Sequence, residues 1–289
     1  MSYFDDTAKE IGEWSAQSTL GRTISRLRIG PACCQRTNLE TVASGYGSSP
    51  KQIADRRLFC CRPNTDAMEF TVQKLHPALQ CGQRLTLTGS NIPAFSFQGS
   101  WDGGCAIHAG AMALAMLGCL SDPLRMSSRR RSPEAEFWRR TQQFYLSGMS
   151  LDELKTLIRE LDWGLQPTGF EGSHAEVLRF CEREVARLRP VILVFRQSLR
   201  GTLHAVLVVG IEGRMIGRTF CGHTLLVVDS AETEPVLAAY NARLTRISNG
   251  RDWSSGYAQY VTGFDKTKVV LTGAMSIRNR KPSKSTPSA

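Results

Sequence analysis

The sequence predicts an α+β fold in which a buried, nucleophile-bearing helix is packed on an antiparallel sheet, and three observations carry that prediction. The run from Cys105 to Leu117 is small or apolar on every side, the pattern of a helix covered all round. The runs Leu203 to Ile211 and Gly222 to Asp229 are apolar and rich in valine, with Gly213, Gly217 and Gly222 between them, the pattern of a β-hairpin. Between helix and hairpin lie three segments with helix-start signals, so helices precede strands as in layered α+β domains.

In chain order, residues 1–90 are expected to form an N-terminal extension or small lobe. Within it Ile11 to Leu27 has weak helical spacing, Thr41 to Arg57 reads as a loop, and Phe70–Leu75 and Arg84–Thr88 alternate like strands. The catalytic domain is expected over residues 91–275. Its first helix should open at Cys105 and stop at Gly118. Ser121 to Arg131 is polar, arginine-rich and broken by Pro123, hence a loop.

Ser132-Pro133-Glu134 then opens a helix, with proline at its first position and acids in its first turn. Ser150 with Glu153 and Ser173 with Glu176 are capping boxes for helices reaching about Trp163 and Leu188. Pro190–Phe195 is a fully apolar strand, Glu232 to Ile247 has the composition of a helix, and Tyr257 to Leu271 alternates as one or two strands. Residues 276–289 lack aromatics and are expected to be disordered.

The chemistry centres on Gln98-Gly-Ser-Trp-Asp-Gly-Gly-Cys105. Two glycines deliver a cysteine to the first turn of a helix, where unpaired N–H groups and the helix dipole stabilise a thiolate. A base and an orienting acid come from the hairpin. A tip at Ile216–Gly217 sets His204 directly opposite Asp229 on one face. His223 pairs with Gly210 in that register and falls roughly 20 Å along the strand from Asp229. His108, three residues after Cys105, is a rival base tied to the same helix, and His174 within its capping box reads as a surface residue.

Cysteine opening a helix, histidine opening a strand and an acid closing the next, with glutamine just before the cysteine, resembles the papain-like cysteine peptidase fold. Over residues 95–230 it looks most like the bacterial bacteriocin-leader-peptidase-like family, whose third member is aspartate. The resemblance implies a Cys105–His204–Asp229 triad, with Gln98 and the Cys105 backbone N–H serving the oxyanion. Gln98 lies seven positions before Cys105, where the family glutamine lies six before.

The implied reaction is hydrolysis of a peptide or isopeptide bond through an acyl-thioester, with no cofactor and a protein or peptide as substrate. Transglutaminase-like, amidase or acyl-transfer chemistry with the same three groups, and a peptidase-shaped binding module, are the alternatives.

Composition limits the remaining classes. The 289 residues are 42% hydrophobic, enough for one sizeable core, and no apolar run reaches the length of a membrane span. The net charge of +10 is dispersed over Arg125–Arg131, Arg139, Arg140 and the tail without interleaved aromatics, so a solvated surface is favoured over a nucleic-acid site.

Nine cysteines without a signal-like N-terminus point to a cytoplasmic protein, or one translocated without a cleavable signal. Cys33-Cys34, Cys60-Cys61, Cys81 and His76 lack zinc-site spacing. Oligomeric state is not legible.

Overall fold

A computed structural model describes residues 69–100, 102–125, 131–197, 201, 203–246 and 256–280. The expectations for residues 1–68, for Trp253 and for the segment after Arg280 lie outside these residues.

The chain enters with strand β1 (Glu69–Leu75) and a two-residue ladder of β2 (Leu79–Gln80) with β3 (Thr86–Leu87). Helix α1 (Cys105–Met116) follows, then α2 (Pro133–Thr141), α3 (Leu151–Glu160), strand β4 (Leu165–Glu171) and α4 (His174–Val185). Six strands complete the chain: β5 (Val191–Gln197), β6 (Leu203–Ile216), β7 (Thr219–Val228), β8 (Ala242–Arg246), β9 (Ala258–Val261) and β10 (Lys266–Asn279). All the pairings are antiparallel.

The expected helix signals are realised. Ser132 accepts a hydrogen bond from the Ala135 N–H at the head of α2, and Ser150 and Ser173 form capping boxes with Glu153 and Glu176. Gly118, at φ +75°, ends α1 in the left-handed conformation that a side chain would resist.

The sheet departs from the papain-like fold that the resemblance implies, because it closes. Order runs β6–β5–β10–β9–β8–β7, and β7 pairs back onto β6, so these strands form a barrel. The long strands β6 and β10 overhang it, β6 carrying β1 beyond β5 and β10 carrying β4 beyond β9. Pro167 and Gly169 are tolerated in β4 because it pairs on one side only, along β10.

Two expectations fail here. Of the helix expected over Glu232 to Ile247, the described residues 232–246 are not helical: Pro235 and a left-handed Leu237 keep the first part irregular, and Ala242–Arg246 becomes the strand that bridges β7 and β9. Ser276–Asn279 belongs to β10, paired with β4, rather than to a disordered tail. The first segment finds its hydrogen-bond partners through closure and the second through β4, outside the ring; local composition encodes neither.

Two cores result. The lumen is filled by Val191, Leu193 and Phe195 of β5, Val206, Val208 and Ile211 of β6, Leu225 and Val227 of β7, and their counterparts on β8 to β10, with Phe180 and Cys181 of α4 packed among them. Ile192, Ala205, Leu207 and Val209 face outward, onto α1. Every residue of α1 after Cys105 is buried. At roughly 1.5–3 kcal/mol for each large side chain removed from water, Ile107, Met112 and Leu114 alone make this helix a major stabilising element.

Candidate active site

Cys105 is the first residue of α1, delivered by Gly103 and Gly104. The approach is tight. A Cβ on Gly103 would lie 2.7 Å from the Leu146 carbonyl oxygen and 2.8 Å from the Gly148 nitrogen, so only glycine fits there.

Asp102, though masked from solvent, organises the turn. Its carboxylate accepts the N–H of Gly99 at 2.7 Å and of Gly104 at 3.0 Å, and burial together with its charge raises the pKa of the nearby Tyr145 phenol. The Gln98 amide donates to the Asp102 carbonyl at 2.8 Å, its carbonyl accepts from Ser230 Oγ at 3.3 Å, and its own N–H reaches the Ser230 carbonyl at 2.7 Å. Gln98 therefore ties the loop before the nucleophile to the residue after Asp229.

His204 and Asp229 meet as expected, but by a different register. The hairpin turns at Gly217–Arg218, with Ile216 opposite Thr219, and Gly217 has the positive φ of +60° that the first position of a type II′ turn requires. Two bulges interrupt the ladder: His223 is the extra residue on β7 and Val209 the extra one on β6. They cancel. His204 is consequently not opposite Asp229; it pairs with Phe195 on β5, and the β6–β7 ladder ends at Leu207 with Val228.

The displacement from the expected register is an even number of residues at the mouth, so the two side chains keep a common face. His204 Nε2 lies 2.8 and 2.9 Å from the two Asp229 carboxylate oxygens. That leaves Nδ1 free of Asp229, and the imidazole is near enough to Cys105 to depress its thiol pKa.

The three groups shift one another. Burial disfavours a charged imidazole, but hydrogen bonds to Asp229 and Cys105, and their charges, prevail and raise the His204 pKa to about 10. Burial raises the Cys105 thiol; the hydrogen bond and charge of His204, with the N–H groups of Ala205 and Ala106, outweigh it and bring the thiol below its ordinary value.

Burial likewise opposes the Asp229 carboxylate, and His204, the Tyr260 hydroxyl and the Ala231 N–H hold its pKa down. The Asp229 backbone is clamped by Asn241, whose carbonyl accepts its N–H at 2.7 Å and whose amide donates to its C=O at 2.8 Å.

The other histidines are placed elsewhere. His108 is buried, with Nδ1 on Ser96 Oγ at 2.8 Å and Nε2 3.5 Å from Asp102, so neither nitrogen is directed at Cys105. His223 bonds Thr224 Oγ1. His174 is half-buried rather than a surface residue, and accepts the Leu271 N–H. His76 spans the Leu188 carbonyl and the Ala78 N–H.

Among the described residues no group of three or more His, Cys, Asp or Glu is placed to hold a metal ion, and no helix is long and apolar enough to cross a membrane. Surface cavities of about 410 and 490 Å³, on α2 and between α2 and α3, include none of the four expected site residues.

Asp102, Tyr145, Asn241 and Tyr260 escaped the sequence reading. For Asp102 a signal existed, an aspartate two residues before a glycine that opens a helix. For Tyr260 there was none, since β9 reaches the site only through barrel closure.

No family model matches the chain, and no curated protein matches it. Among solved structures it is similar to that of UfSP from C. elegans, at 15% identity and a TM-score of 0.37, over 72% of this chain and 37% of that one. The chain thus spans well under half of that protein's length, and a likeness of this degree bears on neither fold nor activity.

Proposed function

We propose that the protein is a cysteine peptidase, acting on a protein or peptide through Cys105, His204 and Asp229. The observation that carries the reading is one relay assembled from three separated elements. A cysteine at the start of a buried helix has its thiol pKa lowered by a histidine whose Nε2 sits 2.8 Å from a buried carboxylate. Opposite shifts of thiol and imidazole favour the thiolate–imidazolium pair as the resting state.

In this reading the Cys105 thiolate attacks the substrate carbonyl, forming the C–S bond while the carbonyl π pair moves to oxygen. The N–H of Cys105, outside the intrahelical ladder, and the second N–H of the Gln98 amide serve that oxyanion. Collapse of the intermediate breaks the C–N bond as imidazolium protonates the departing amine. Water then gives its proton to His204 and attacks the thioester, releasing the acid and restoring the ion pair. Asp229 orients the ring and offsets its charge throughout.

Alkylation of each cysteine by iodoacetamide, followed by mass spectrometry from pH 4 to 9, tests the site. Cys105 is expected to label rapidly well below pH 8 and to lose that advantage in His204→Ala. Cys119 and Cys181, whose thiols burial raises, are internal controls expected to stay slow. Equal rates at all three would overturn the reading. New amino termini from a peptide library then identify peptide-bond hydrolysis, whereas ammonia without cleavage would assign an amidase instead.

A further inference from the structure

We infer that Tyr260 is a positioning residue for the relay, a fourth member that fixes the Asp229 carboxylate from inside the barrel. The inference rests on the peptidase reading of Cys105, His204 and Asp229.

Asp229 is 2% exposed, so its oxygens have no bulk water to orient them. A buried carboxylate that must face one imidazole needs its remaining lone pairs occupied, or it rotates and pairs elsewhere. Oδ1 receives the Ala231 N–H at 2.9 Å as well as His204, and Oδ2 receives the Tyr260 hydroxyl. Ala231 comes from the loop directly after Asp229 and moves with it. Tyr260 comes from β9, a separate strand held on both sides by β8 and β10. It is therefore the side chain that references the carboxylate to the barrel itself.

Its ring is locked as well. Tyr260 is 6% exposed, and its ring centroid lies 4.7 Å from that of Phe195, which meets the His204 ring edge-on at 5.5 Å. One aromatic contact thus joins the support of the acid to the support of the base.

A phenol is suited to this place because it donates one hydrogen bond without adding charge beside the carboxylate. Burial and the adjacent Asp229 charge keep the phenol protonated well beyond its ordinary range, so the donor persists at any pH where the relay works. The other groups facing this region are Glu232, coupled to both Asp229 and His204, and Asp265 on the β9–β10 turn. Neither supplies a donor to Oδ2.

The test uses the full chain and two variants, Tyr260→Phe, which removes only the hydroxyl, and Tyr260→Leu, which removes the ring as well. The readout is the pH profile of Cys105 alkylation, with thermal unfolding in parallel. Tyr260→Phe is expected to move the acid limb of the profile upward by about one pH unit, the scale of one lost hydrogen bond to a charged group. Its rate at pH 9 is expected to match the wild type and its melting temperature to change little. The sign follows from Asp229: without its donor the carboxyl takes a proton at higher pH, and the ion pair it supports fails at higher pH.

A purely structural Tyr260 gives the opposite pattern, in which Phe leaves the profile unmoved and only Leu lowers stability. That outcome overturns the inference and leaves the peptidase reading intact. A wild-type profile without low-pH reactivity at Cys105 overturns both.

Discussion

At the scale of single residues, His204 carries the largest consequence. Its pKa rises from an ordinary 6.5 to about 10 on folding, so the folded protein binds a proton that the unfolded chain has released. Stability from this group is fully present below pH 6.5 and is lost as pH rises through 10. Asp229→Asn removes the charge that holds the proton. The Cys105 thiol, held below its ordinary 9.0, releases on folding a proton that the unfolded chain keeps, so His204 and Cys105 offset each other up to pH 9. We expect wild-type thermal stability to fall as pH rises from 9 through 10 and that of Asp229→Asn to be flatter over the same window, measured by scanning calorimetry. A parallel slope in the two proteins would show that His204 is not the titrating group.

At the scale of elements, the loop that presents Cys105 is fixed by contact rather than by helix propensity. Gly103 touches the backbone of residues 146–148, and Gly103→Ala is expected to cost about 1–3 kcal/mol by forcing that contact apart. The same change should slow Cys105 alkylation, since the displaced turn carries the sulfur with it; denaturant unfolding and alkylation rates check the two effects. The capping box of α3 is a separate matter. Ser150→Ala is expected to lose about 1 kcal/mol of stability with no change at Cys105.

This scale also shows what could be read in advance. Helix starts were legible because proline, serine and glutamate act locally, as at Ser132, Ser150 and Ser173. Cys105, His204 and Asp229 stand out as candidates in the sequence because each sits at the end of an apolar element. The meeting of His204 with Asp229 was anticipated through a register that the protein does not use, and it survives because the displacement at the mouth is even. Bulges at Val209 and His223 have no local signature, and neither does the identity of the residues that hold Asp229.

At the scale of the whole molecule, closure decides what composition could not. Ala242–Arg246 becomes a strand because it bridges β7 and β9 within the ring, while Ser276–Asn279 is ordered outside it by pairing with β4. Closure also sets the order of opening. Amides of β5 and β6 between Val191 and Val208 lie under α1 and inside the ring, and are expected to exchange hydrogen last. The two-residue ladder of β2 and β3 is expected to exchange first, as followed by mass spectrometry of peptic fragments.

The cancelling bulges bear on how this hairpin can change over time. Deleting Val209 alone, or His223 alone, leaves one strand a residue out of step, so that Asp229 slides past His204 and the relay is broken. Deleting both removes the two irregularities together and returns the strands to step, while Val206 and Val208 still face the lumen and Ile211 keeps its place there. The pair is thus bound by sign epistasis. Each single deletion should abolish rapid alkylation of Cys105 and the double deletion should restore it, so insertions and deletions in this hairpin are expected to be inherited as compensated pairs.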